Sequence, residues 1–191
     1  GQTISATFRS VNPGLITSGT FSNRAYESEN SGVLNFDEFS AFCADPFQSI
    51  NFNERVTYQQ TSVSSLTGAS VISKLLGGYM ASARTSVDAA AVQWLIWEVL
   101  IDGSSNLSLT AGNARLSNSG SSGQVLAKAN TYISGLSGFS NYNFQYLTNA
   151  SRQDMIRFTG VSQDTAGSAV PEPSTTVLSL VAGLAMWRRR R

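Results

Sequence analysis

From Thr3 to Phe8 the chain alternates, with Thr3, Ser5 and Thr7 set against Ile4, Ala6 and Phe8. That is the period-two pattern of a half-buried strand. Asn12-Pro13-Gly14 is a turn signal. Leu15 to Phe21 and Gly32 to Phe36 follow as candidate strands, with Glu27 to Ser31 as a polar loop. Phe39 to Phe47 is aromatic-rich around Cys43, and Val56 to Gln60 reads as a further strand. The period then changes. Ser64 to Ala83 is expected to hold one or two short helices broken at Gly77-Gly78. Val87 to Ile101 is the strongest helix, with Thr85 and Asp88 at capping-box spacing and Asp102-Gly103 as its stop. Ala89, Val92, Leu95, Ile96, Val99, Leu100 and two tryptophans make it apolar on nearly every side, which predicts a buried central position. Ser104 to Gly123 reads as a long loop, Gln124 to Leu136 as a second helix, and Asn143 to Thr148 and Asp154 to Thr159 as closing strands. The order predicts an α+β domain over residues 1–160, strand-rich around one buried helix, then a linker over 161–169.

Composition narrows the function. The charged fraction is 13%, about half of the ~25% usual for globular chains, and 30 Ser and 15 Thr fill the difference. A hydroxyl-rich surface of this kind suits secreted, strand-rich proteins. The net charge of +1 conceals a divided chain, because four of the 13 basic residues are Arg188 to Arg191. Residues 1–169 hold nine Lys+Arg against eleven Asp+Glu, a net of −2. An acidic body with only Lys74 and Lys128 as lysines has no electrostatic footprint for nucleic acid. Histidine is absent, which removes imidazole-based triads and zinc sites. A single cysteine removes an internal disulfide and Cys-cluster metal sites, so neither a metal nor a cofactor is expected.

The last 22 residues, Val170 to Arg191, have their own logic. Pro171, Glu172 and Pro173 keep the backbone extended and accessible. Ser174 to Trp187 is uncharged and helix-compatible, and Arg188, Arg189, Arg190 and Arg191 form a membrane stop that the positive-inside rule leaves on the cytoplasmic side. These three parts in this order resemble the PEP-CTERM sorting signal. The resemblance implies recognition by a membrane transpeptidase of the exosortase type and cleavage near Pro171-Glu172-Pro173. It also implies transient anchoring in the inner membrane of a Gram-negative cell, then delivery to the surface or an extracellular polysaccharide matrix. The 14 residues from Ser174 to Trp187 span roughly 21 Å as a helix, short against a hydrocarbon core of ~30 Å. Such a length suits a signal that is read and cut. Since the chain begins at Gly1, a removed export signal is expected upstream.

Cys43 in Phe42-Cys43-Ala44 and Gln93 in Val92-Gln93-Trp94-Leu95-Ile96-Trp97 form the candidate site. Gln93, Ile96 and Trp97 share one helix face, and a carboxamide among so many apolar groups needs a partner. The two segments resemble the motifs of bacterial surface thioester domains. The resemblance implies an internal Cys43–Gln93 thioester, with Phe42, Ile96 and Trp97 as motif-packing residues. Ala44 departs from the larger apolar residue usual at that position. The implied chemistry is single-use acylation of an amine-bearing surface ligand or matrix polymer, without enzymatic turnover. As a crosslink closing a ~50-residue loop, the bond would contribute roughly 4 kcal/mol on a chain-entropy argument. On the residues alone, Cys43 as a small buried hydrophobe and Gln93 bonded to backbone stay open. So does a non-covalent matrix or glycan-binding module with the same tail. Asp45 and Glu98 are candidates for proton transfer or for solvated and capping roles. Asp37-Glu38 lacks a calcium-loop pattern, and no carboxylate pair suited to hydrolysis stands out.

Overall fold

A computed structural model describes residues 1–158; the linker, Pro171, Glu172, Pro173, the apolar segment after them and the four terminal arginines lie outside those residues. The domain is α+β, and its strands close on themselves. Strand β1 (Thr3–Phe21) pairs through Thr3–Thr7 with β4 (Arg55–Thr61) and through Phe8–Phe21 with β2 (Arg24–Phe36). From β2 the pairing continues to β3 (Ser40–Cys43), β7 (Met155–Phe158), β6 (Phe144–Thr148) and back to β4, antiparallel throughout. Closure leaves these six strands without a free long edge. A short strand, β5 (Ala114–Leu116), adds to the far end of β1 at Gly19–Phe21.

The sequence divides β1 and β2 into shorter strands; the structure runs each of them through the expected breaks. The register steps from Val11↔Leu34 to Gly14↔Gly32, so β1 carries one extra residue against β2 at Asn12-Pro13. A bulge is where a proline can sit in a sheet, because its missing N–H needs no ladder partner. Gly14 and Gly32 face each other there, and a side chain on Gly32 would strike the Pro13 carbonyl and Gly14 Cα. Glu27 to Ser31, expected as a loop, therefore lies within β2. The true turn is Ser22-Asn23, with φ of 47° and 68°, a two-residue hairpin of the left-handed type that fits strand twist.

Helix α1 (Ala69–Ala81) runs unbroken through Gly77 and Gly78. The two glycines mark close approach: a Cβ on Gly77 would overlap the Ser140 carbonyl, and one on Gly78 the Phe139 ring. Helix α2 (Ser86–Asp102) matches its expected span within a residue, with both halves of the Thr85/Asp88 capping box formed. Twelve consecutive residues, Asp88 to Val99, are buried, as the all-round apolar pattern requires. It packs on β1 and β2 on one side and against α1 and α3 (Gly120–Gly135) on the other. Helix α3 starts four residues before its expected Gln124, and β5 interrupts the expected long loop; neither the added Gly120–Gly123 turn nor three-residue β5 has an apolar repeat that would announce it. No helix among the described residues is long and apolar enough to cross a membrane.

Candidate functional site

Cys43 is the last residue of β3, where the sheet opens. β3 pairs with β2 only at Leu34–Ala41 and Asn35–Ser40, so Phe42 and Cys43 have no partner on β2. On its other side β3 keeps β7, and Ala44 N–H continues that ladder to the Asp154 carbonyl at 2.7 Å. The alternation of a strand points the N–H and C=O of Cys43 the opposite way, into the gap. Gln93 fills it from α2. Its Oε1 accepts from the Cys43 N–H at 2.8 Å, and its Nε2 donates to the Cys43 carbonyl at 2.9 Å. The carboxamide thus takes the place of a peptide group in the missing strand. This meets the need for a partner that burial at 0% exposure imposes.

The two sequence-predicted residues, 50 positions apart, are in direct contact. Phe42, on the opposite face of β3, packs against Tyr79 of α1 and Phe158 of β7 with centroids 5.3 and 5.2 Å away. Ile96 is fully buried in α2. Trp97, one turn after Gln93, is held edge-on by Phe21, Tyr26 and Trp94. Trp94 is itself fixed by stacking on Phe21 at 4.8 Å and by its indole N–H donating to Thr17 Oγ1 at 3.0 Å. The helix face carrying Gln93 is therefore positioned by aromatic contacts on both sides.

The Cys43 sulfur lies over the following turn, donating to the Asp45 carbonyl at 3.1 Å and accepting from the Asp45 N–H at 3.3 Å. Burial pushes the thiol up to about 12; the Asp45 N–H and the Trp97 side chain pull the other way, and the charges of Asp45 and Asp154 add to the rise. At neutral pH the sulfur keeps its proton. A cavity of about 230 Å³ reaches the pair, walled by Cys43, Gln93, Trp97, Tyr26 and Ile50, with Glu29 as its one charged lining residue. Glu29 comes from the part of β2 expected as a loop and Tyr26 from the residue just before it, so only the hairpin register could have placed them here. Burial also raises the Tyr26 phenol well above its ordinary value.

The remaining candidates are occupied elsewhere. Asp45 Oδ1 caps its own turn by accepting from the Phe47 N–H at 2.8 Å. Glu98 belongs to the other end of α2 and accepts from the Ser108 N–H at 2.9 Å. Asp37 accepts from the Thr7 N–H at 2.7 Å, and Lys128 pairs with Asp88 at 3.4 Å. Among the described residues no group of acidic, Cys or His side chains is suited to a metal ion. Compared with family models, curated proteins and solved structures, the chain matches none.

Proposed function

We propose that this is an exported, non-enzymatic surface protein that forms an internal Cys43–Gln93 thioester for covalent attachment to an amine-bearing partner. The observation that carries the reading is the Gln93 carboxamide held against Cys43, its carbonyl polarised by the Cys43 N–H. Attack of Sγ on the Gln93 Cδ forms the C–S bond and breaks C–N. The thiol proton passes to Nε2, which leaves as ammonia, so no external base is consumed. The Cys43 N–H stabilises the oxygen while the carbon is tetrahedral. An incoming primary amine then displaces sulfur and leaves a stable amide on the Gln93 carbonyl.

Delivery is part of the same proposal. The Pro171-Glu172-Pro173 motif, the apolar segment as a short transmembrane helix and the Arg188 to Arg191 stop form a sorting tail read by an exosortase-type transpeptidase. It anchors the chain transiently in the inner membrane before release to the surface or extracellular matrix. A second reading, a non-covalent matrix or glycan-binding module, is favoured by Phe47 and Phe52, which stand 48% and 68% exposed on the loop after Cys43.

Intact mass separates the two. The thioester reading expects freshly folded protein to weigh one ammonia less than its sequence, and methylamine to add to Gln93 while freeing the Cys43 thiol. The full sequence mass with a free thiol would sink it in favour of the non-covalent module.

A further inference from the structure

Trp97 carries a group that packing does not explain. Its side chain is 2% exposed, and its indole N–H is buried with no hydrogen-bond partner within ordinary limits. Trp94, one turn's neighbour on the same helix, spends its N–H on Thr17. A buried donor left unpaired costs roughly 1–3 kcal/mol, so a Phe would serve better if the ring alone mattered. The donor nevertheless lies at the reaction centre: Trp97 lines the same cavity as Cys43 and Gln93, and its side chain favours the charged form of the Cys43 sulfur.

A sulfur bonded to an acyl carbon is neutral and a poor acceptor. When an amine attacks the Gln93 Cδ and the C–S bond breaks, the bonding electron pair moves onto Sγ. The amine's proton is released to water in the cavity or passes to that sulfur. A thiol raised to about 12 by burial is a poor leaving group, since leaving rate falls as thiol pKa rises. The Asp45 N–H, 3.3 Å from Sγ, supplies one donor to the developing charge. We propose that Trp97 is a catalytic residue of the acyl-transfer step, donating its indole N–H to the Cys43 sulfur as the thioester opens. This assignment rests on the thioester reading. A donor unpaired in the resting state and paired only as charge appears acts selectively on the transition state. It also lets the closed site resist water while remaining reactive once an amine has entered.

The test replaces Trp97 in the full chain by benzothienylalanine, where sulfur stands for the indole N–H and ring size is kept. Trp97→Phe serves as a second variant. Methylamine consumption is followed by mass, and the freed Cys43 thiol is then titrated by its ultraviolet absorbance. The proposal expects methylamine incorporation to slow about tenfold, and the thiol pKa to move up by about one pH unit, the loss of one charge-assisted hydrogen bond. The thermal unfolding midpoint of the isosteric variant does not fall, since the unpaired donor it removes stabilises nothing in the resting protein. A packing role predicts the reverse: a lower midpoint for Trp97→Phe, with rate and titration unaltered in the isosteric variant, which would overturn the assignment. Wild-type protein lacking any ammonia loss defeats the thioester reading separately. In that case the unreacted thiol is titrated in both proteins, and equal pKa values overturn the Trp97–sulfur contact as well.

Discussion

Replacing Glu98 by Gln should remove most of the pH dependence of this domain's stability between pH 5 and 8. Glu98 is 1% exposed near the end of α2; one carboxylate oxygen accepts from the Ser108 N–H, while the other is buried without a partner. Its neighbour one turn on, Asp102, accepts from the Asn113 and Ala114 N–H groups and the Asn113 side chain, each at 2.8 Å. Burial pushes Glu98 up to about 7, the Ser108 N–H offsetting this in part and the Asp102 charge adding to it. The folded state therefore holds a proton that the unfolded chain, at an ordinary Glu value near ~4.3, releases. A raised pKa means stability fully present below about pH 4.3 and lost as pH climbs through about 7. The difference between about 7 and the reference 4.5 amounts to on the order of 3 kcal/mol, at ~1.4 kcal/mol per pH unit. Asp102 is shifted downward, so its own contribution changes only at more acid pH. The chain has no histidine to add a transition in this window.

A Gln at position 98 can accept from Ser108 and donate to Asp102 at any pH. Urea unfolding at pH 5 and pH 8 should show wild type losing about 2–3 kcal/mol, and Glu98→Gln losing well under 1. The variant should exceed wild type in stability at pH 8. Equal slopes for the two proteins, or a wild type that gains stability toward pH 8, would refute the account of Glu98 as a proton-holding clasp on residues 103–113.

Gly77→Ala sets two effects against each other. Helix propensity favours Ala by about 1 kcal/mol, while overlap with the Ser140 carbonyl is an overpacking cost of about 1–3 kcal/mol. Net destabilisation in a denaturant titration is expected, and a stabilised variant would show that the Ser140 segment moves aside freely. Thr85→Ala removes the acceptor of the Asp88 N–H and a donor to its carboxylate. About 1 kcal/mol, or roughly 2–4 °C in Tm for a domain of this size, should be lost; calorimetry showing no change would mean the cap is replaced by water without cost.

Local chemistry was enough to read α2: an apolar residue at nearly every position, a Thr and an Asp three apart at its start, and Asp102-Gly103 at its end. It was also enough to predict the α+β class, the later short strands, and that Gln93 needed a partner. Neither the long hairpin nor the closed sheet was legible. Proline and glycine at 12–14 look like a turn to any local rule, and only the second strand's register turns them into a bulge. Ser22-Asn23 carries no glycine to advertise the real turn. Gly77-Gly78 look like a break because their reason is the 139–140 segment, some sixty residues away. The composition of the chain by itself ruled out imidazole chemistry and disulfides and singled out one cysteine. That this cysteine sits where β2 leaves β3, so that a glutamine from α2 completes the ladder and meets it, follows from which strands pair. Pairing of distant segments is a tertiary fact, fixed by burial of the whole α2 surface and by no neighbour of Cys43 in the sequence.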